Sequence, residues 1–309
     1  MRHTASGGSE GVESTAPGPA QADVLEPAGG ERDERRIGSL LVDGGYMTPA
    51  DVTRVLDQQQ QQGGRFGDVA RRLGLIRRSE VAESLARQYD YPFLRAGDRS
   101  VSSRVVVAFR PASRVGEAMR ALRSQLMLRW FARMPGRPAL AITGVGRGEG
   151  RSFIASNLAV AFAQMGQRTV LIDADLRHPT QHVLFRIRQR RGLAAILADR
   201  AGSDAIADVP GVPGLSVLPA GVMPPNPQEL LARPSFDALL ADLATRYSII
   251  LIDTSAAADS ADSQWVSQRT RGALLVARRD RTPVERLVDL DATLRELDVQ
   301  VVGSVYNDH

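Results

Sequence analysis

An α/β fold with a doubly wound, mostly parallel sheet, preceded by a small α-helical repeat unit, is what this 309-residue chain predicts. Three observations carry that expectation. Apolar runs at 139–143, 169–173 and 248–253 are continuous, not alternating, as strands covered on both faces must be. The first run passes through a glycine-rich turn into helical spacing, with Ile154, Leu158, Phe162 and Met165 on one side. Residues 36–59 recur at 65–88 at a constant offset of 29, so a separate unit precedes the sheet.

The turn after the first run reads Gly144-Val145-Gly146-Arg147-Gly148-Glu149-Gly150-Arg151-Ser152. Strand, glycine-rich loop and helix in that order aim main-chain N–H groups and a helix N-terminus at one spot. Glycine lets the chain pass close to an anion there, so the pattern points to polyphosphate binding and to the P-loop NTPase class. The strict pattern has glycine where this chain has Val145 and lysine where it has Arg151. The chain has no lysine anywhere, so arginine at that place is no sign of a dead site. A guanidinium neutralises phosphate oxygens bidentately but on a different stem geometry from an ammonium. Ser152 stands where a hydroxyl reaches magnesium. Gly146, Gly148, Glu149, Gly150, Arg151, Ser152 and Phe153 are the candidate nucleotide-binding residues.

The second and third runs end in Asp173, with Asp175 two residues on, and in Asp253. Ligands of parallel sheets sit at the carboxyl ends of the strands, so three carboxylates are expected to meet the loop. Such groups hold magnesium, directly or through water, and accept the proton of an attacking hydroxyl. Each aspartate alone could be a turn former after a strand. The candidate catalytic set is Arg151, Asp173, Asp175 and Asp253, with Ser152, Asp173 and Asp253 as the candidate magnesium set.

With the loop at 144–152, LIDADLR at 171–177, ILIDT at 250–254, LPAGVMPPNPQELL at 218–231 and EAMRALR at 117–123, residues 114–309 resemble the bacterial tyrosine kinases of polysaccharide export, most closely a chain-length-determinant subtype. The resemblance implies ATP-dependent tyrosine phosphorylation regulating exopolysaccharide chain length, polymerisation and export. It implies ATP and Mg²⁺ as cofactors, a membrane chain-length determinant (polysaccharide co-polymerase) as partner, and a homo-oligomer joined through Glu117, Arg120 and Arg123. Those three share a helix face opposite Met119, Leu122, Leu126 and Trp130; without the surrounding motifs they read as a solvated charged stripe. Asn307, by its counterparts in related ATPases, is a candidate adenine contact or a turn residue. Members that phosphorylate one another usually end in a tyrosine cluster, whereas this chain ends VVGSVYNDH, and Tyr306, inside an apolar strand pattern, reads as core. Two alternatives stand beside the kinase: a non-catalytic nucleotide-binding regulator of the export complex, and a MinD/ParA-like ATPase, which would want a lysine near the start of the loop, where this chain has Gly144, Val145 and Gly146 with only Arg147 nearby.

In the repeat, Arg36, Gly38, Gly45, Val52, Leu56 and Gln59 match Arg65, Gly67, Gly74, Val81, Leu85 and Gln88. Each copy is expected to be a short helix, a glycine turn and a second helix, with Thr48, Pro49 and Asp51 starting the second helix of copy one. The repeat resembles the MshEN domain of type II secretion ATPases, which implies cyclic di-GMP as a ligand. The recurring Arg36, Gly38, Gln59, Arg65, Gly67 and Gln88 are the candidate contacts, since arginine reads the guanine O6 and N7 edge and glycine permits close approach. Ala70 and Arg71 in place of Leu41 and Val42 weaken the second half-site. A helical docking module is the competing reading.

Composition sets the remaining bounds. Residues 1–35, rich in Gly, Ala, Pro, Ser and Glu, read as a disordered tail; three arginines against seven acids give it −4, leaving +8 on the rest. Residues 36–95 form the repeat unit, 96–113 a linker, and 114–309 the kinase-like domain. Absence of cysteine excludes disulfides and thiolate metal sites, and the four histidines show no metal spacing. Charge suits nucleotides or an acidic surface, but no nucleic-acid motif is present. No apolar run reaches the roughly 18 residues of a membrane span, so the expected location is cytoplasmic, peripheral at the inner membrane through a partner.

Overall fold

The computed structural model describes residues 31–77, 80, 92–95, 97–133, 136 and 139–308, with side chains from Ile37 onward. Masked positions take in residues 1–30 of the expected tail, as well as Gln88 and the second helix of repeat copy two, all outside the described residues.

Three helices lead: α1 (Glu31–Asp43), α2 (Pro49–Gln62) and α3 (Phe66–Arg72). Helix α1 begins at Glu31, inside the stretch expected to be tail, where alternating charges at 31–36 run into the apolar Ile37, Leu40 and Leu41. The three pack around Leu41, Met47, Val55, Phe66, Val69, Ala70 and Ile76. Gly38 sits where α1 meets its neighbours: a Cβ there would lie 3.0 Å from Val52 Cγ1 and 3.6 Å from Phe66 Cζ. Thr48 and Asp51 form a reciprocal capping box behind Pro49. Gly45 and Gly74, 29 residues apart, both turn the chain at φ near +70° (72° and 69°). At the position matching Thr48, the Arg77 N–H donates to Glu80 Oε2 at 2.7 Å, as Thr48 N does to Asp51 Oδ2 at 3.0 Å.

The second body is a seven-stranded sheet in the order β3-β4-β2-β5-β1-β6-β7. Its strands are β1 (Ala139–Thr143), β2 (Thr169–Asp173), β3 (Ala207–Asp208), β4 (Leu215–Leu218), β5 (Ile249–Asp253), β6 (Gly272–Arg278) and β7 (Gln300–Asn307). All pair in parallel except the short β3, antiparallel to β4. Continuous burial along β1, β2 and β5 accounts for their unbroken apolar runs. Helix α6 (Arg151–Ala163) is buried on all sides, eleven of its thirteen residues being enclosed. It is therefore apolar all round and not striped, and Met165 lies beyond its end, partly exposed at 38%.

What encloses α6 corrects the expected linker. Residues 97–113 are part of the sheet domain: Val101, Val105, Val107 and Ala108 are fully buried with Leu94 in the core that holds α6. The short helix α4 (Val106–Phe109) is pinned by the buried Asn157, whose Oδ1 accepts from Val107 N at 2.9 Å and whose Nδ2 donates to Arg104 O at 3.3 Å. Gln164 Nε2 reaches Pro92 O at 2.8 Å. The valines at 101, 105 and 107 carry this packing, but with Ser102, Ser103 and Arg104 among them they lack a helical or strand period.

Helix α5 (Arg114–Leu126) buries Met119 and Leu126 against α6 and continues into a π-helical turn, Met127–Phe131, that seats Trp130. The indole donates to Ala139 O at 3.1 Å and lies against Gly272, where no side chain would fit. Tyr306 corrects a second expectation. Strand β7 is the sheet edge and alternates in exposure, so Tyr306 points outward at 67% exposure while Val302 and Val305 face the core.

Candidate active site

Strands β1, β2 and β5 end side by side, and the loop 144–150 rises from β1 into the N-terminus of α6. Gly148 and Gly150 take positive φ, 73° and 98°, which carries the chain around the cradle. The space over Gly150 is filled by the Asn307 carboxamide, whose Nδ2 donates to Glu149 O at 2.9 Å. Gly144 is hemmed in by Val276 O and the Glu149 carboxylate, and Ala257 and Ala258 N–H groups donate to the carbonyls of Gly144 and Val145. Arg147 leaves the loop to pair with Asp259 at 2.6 Å.

Arg151, only 8% exposed, is folded under the loop. Its Nε donates to Thr254 O at 3.1 Å and its Nη1 to Gly146 O at 2.5 Å, with Glu149 Oε2 3.6 Å away. Glu149 is buried as well, its Oε1 accepting from Thr282 Oγ1 at 2.6 Å. Phe153 packs against the core, and its carbonyl accepts from Ser156 and Asn157.

Asp173 and Asp253 are register partners on neighbouring strands, both with no exposure. Asp173 Oδ2 accepts the N–H groups of Thr180 and Gln181, each at 2.9 Å. Asp253 Oδ2 accepts Gln181 Nε2 at 2.8 Å, and the nearby Ser152 hydroxyl favours its charged form. Burial pushes Asp253 up to about 6, against the lowering pull of Gln181, Ser152 and Arg151. Burial, then the Asp253 charge, raises Asp173 well above the usual carboxylate range. Asp175 lies alongside, 8% exposed, accepting from His178 N at 2.9 Å. The loop, Arg151, Ser152 and the three aspartates therefore converge.

Glu117 is exposed on α5. Arg120 and Arg123 are drawn inward, Arg120 to Pro111 O and Arg123 to Ala161 O at 2.9 Å. In the helical unit, Gln59 Nε2 donates to Gly64 O at 2.9 Å, Arg65 is the exposed N-cap of α3, and Gly67 is half-buried in its first turn. The Arg36 side chain and Gln88 fall outside the description.

Several site residues carry no sequence signal of their own. Gln181, fully buried, bridges Asp253 and Ser152 O from the short helix α7 (Gln181–Leu184). Thr254 O receives Arg151, and Arg278 Nη1 donates to Gly148 O at 2.9 Å. Arg177 makes a two-point bond to the buried Asp262 at 2.7 and 3.3 Å. Only Thr254 and Arg177 sat inside a motif segment.

Buried polar atoms test whether the site fits magnesium nucleotide. Among the described residues, twelve buried side-chain N or O atoms lack a hydrogen-bond partner, and seven belong to this strand-end cluster: Thr143 Oγ1, Glu149 Oε2, Asp173 Oδ1, Thr180 Oγ1, Gln181 Oε1, Asp253 Oδ1 and Ser255 Oγ. Each such atom costs about 1–3 kcal/mol unless a ligand or water meets it. No group of three His, Cys, Asp or Glu side chains among the described residues forms a protein-only metal cage. Magnesium does not need one, since it takes one or two carboxylates and completes its shell with phosphate and water.

A mostly parallel sheet with this loop and paired strand-end aspartates defines a P-loop nucleotide-binding domain. Residues 137–292 match the family described as cellulose biosynthesis protein BcsQ. The chain is 31% identical over 214 residues to the putative tyrosine-protein kinase CapB of Staphylococcus aureus, covering 69% of this chain and 92% of that one. It is 31% identical to the tyrosine-protein kinase YwqD of Bacillus subtilis strain 168, covering 66% and 85%. Longer relatives are matched over one part, as with 29% of tyrosine-protein kinase wzc of Salmonella typhi, at 32% identity. Among solved structures, the kinase domain of Escherichia coli tyrosine kinase ETK superposes with a TM-score of 0.64 at 31% identity, covering 69% of this chain and 82% of that one. The chain belongs to the bacterial protein-tyrosine kinase family.

Proposed function

We propose that this protein is an ATP-dependent protein-tyrosine kinase acting in bacterial polysaccharide assembly. The observation that carries the proposal is the set of buried, unpartnered oxygens on Asp173, Asp253 and the strand-end loops, placed where a glycine cradle and Arg151 supply the opposite charge. Loop N–H groups and Arg151 would hold the β- and γ-phosphates, with Ser152 and Asp253 serving magnesium. Magnesium, when bound, neutralises charge on the phosphate oxygens. Arg151 must exchange Gly146 O and Thr254 O for phosphate oxygens on nucleotide binding. Gln181 orients Asp253, and Asp173 or Asp175 accepts the tyrosine proton. Adenine contact by Asn307 fits its place beside Gly150.

The polysaccharide reading draws on the names of the relatives, and chain-length control through a membrane partner follows from the same likeness. Among the described residues no helix is long and apolar enough to cross a membrane, which suits attachment through that partner. Self-association through the α5 face has Glu117 available at its surface, with Arg120 and Arg123 positioned by in-chain bonds.

The deciding experiment is transfer of labelled phosphate from ATP to a tyrosine polymer by the purified chain with its membrane partner. Activity in the wild type and its loss by about 10²–10⁴-fold in Asp173→Ala are expected; equal labelling by both would overturn the assignment, and ATP binding without transfer would select the non-catalytic regulator.

For residues 36–88 we propose cyclic di-GMP as ligand, favoured by the matching positive-φ glycines, 45 and 74, and the matching backbone caps at 48 and 77. Calorimetric titration is expected to give heat that Arg65→Ala reduces; no heat in the wild type removes this ligand.

A further inference from the structure

One segment outside every motif closes over the phosphate loop. Residues 278–282, from the last residue of β6 toward helix α8 (Val284–Glu296), form a tight turn in which Arg281 and Thr282 N–H groups return to Arg278 O at 3.2 and 3.0 Å. Asp280 sits in the left-handed region at φ 54°. The turn is fastened to the loop twice, by Arg278 Nη1 on Gly148 O and by Thr282 Oγ1 on Glu149 Oε1. Thr282 Oγ1 also accepts from Arg278 N at 2.8 Å.

Between those fastenings the Arg281 guanidinium lies broadside on Gly148. A Cβ at Gly148 would be 3.0 Å from its Nη1, 3.3 Å from its Cζ and 3.5 Å from its Nη2. Among the described residues no carboxylate pairs with it. Asp280 faces Arg279 at 3.5 Å, Asp259 faces Arg147, and Glu149 is engaged by Thr282 with Arg151 beside it. Arg281 stays solvent-exposed, yet its guanidinium rests on a loop whose N–H groups already make the region positive. A cation held there is stabilised once an anion shares the cradle.

We propose that Arg281 is a second phosphate-binding cation of the nucleotide site, delivered by the β6–α8 turn and sharing with Arg151 the charge of a nucleoside di- or triphosphate. The inference rests on the nucleotide-binding reading above and assigns a residue to it.

The test is titration of the full chain with ATP, ADP and AMP for the wild type, Arg281→Ala, Arg281→Lys and Arg279→Ala. Arg279→Ala loses the same charge two positions away, where the guanidinium faces Asp280. Expected are a loss of about ten-fold or more in ATP and ADP affinity for Arg281→Ala, a much smaller loss for AMP, substantial rescue in Arg281→Lys, and wild-type behaviour in Arg279→Ala. ATP affinity within two-fold of wild type in Arg281→Ala overturns the proposal, as does an equal loss for all three nucleotides. A wild type that binds no ATP takes down the nucleotide reading itself, which distinguishes the two failures.

Discussion

Polar groups are treated in opposite ways at the two ends of this molecule. In the helical unit, Asp51 caps its own helix, and the Thr48 hydroxyl and N–H bonds lower its pKa; Gln59 closes the end of the same helix, and Gly38 serves close packing. At the strand ends, Asp173 and Asp253 are fully buried, raised in pKa by that burial, and left with one unpartnered oxygen each. Local capping stabilises a fold by itself, whereas buried unpartnered carboxylates weaken it until a cation arrives. The contrast separates residues that build structure from residues held ready for a ligand.

The largest expected effect that sharpens this contrast is at Arg151. Arg151→Ala removes the cation that faces the cradle and should weaken ATP binding about 10–100-fold, the worth of a charge-assisted contact; unchanged affinity by calorimetry would mean that the strand-end cluster is structural after all.

Next comes Asp253→Asn. The folded pKa of Asp253, about 6, lies above the unfolded value of 3.8, so the fold binds this proton more tightly than the unfolded chain does. Its stabilisation is full below about pH 4 and is lost as pH rises through 6. Above that, Asp253→Asn should stabilise the nucleotide-free protein by about 1–3 kcal/mol and flatten the pH dependence of melting between 4 and 6. The same variant should abolish the melting shift given by magnesium and ATP. A variant less stable than wild type at pH 7 would erase the difference between the two regions.

Smallest is Thr48→Ala, expected to cost the helical unit about 1 kcal/mol by loss of its cap, seen as faster amide exchange along α2. ATP affinity should not change; if it fell, the two regions would not be energetically separate.

Much of the sheet domain was legible because burial on both faces writes itself as unbroken apolar runs, and because a close-approach loop demands glycine. Asp173, Asp175 and Asp253 were legible for the same reason, as acids that interrupt those runs at their carboxyl ends. Gln181, Arg278 and Arg281 were not, since each reaches the site from a short helix, a strand end or a turn that carries no signal of its own, across 29, 130 and 133 positions of chain. The 97–113 segment was misread because its valines pack against α6 irregularly, and Tyr306 because an edge strand keeps one face in solvent.

By itself the amino-acid order determined which strands are enclosed, where the anion cradle lies and which acids end beside it, since these follow from local hydrophobicity, glycine spacing and chain direction. Only tertiary structure decided which oxygens stay unpartnered, that Arg151 folds beneath the loop, and that a distant turn lays Arg281 across Gly148. Those outcomes depend on the register of β2 against β5 and on how β6 leads into its turn, and neither long-range geometry is written in any local pattern.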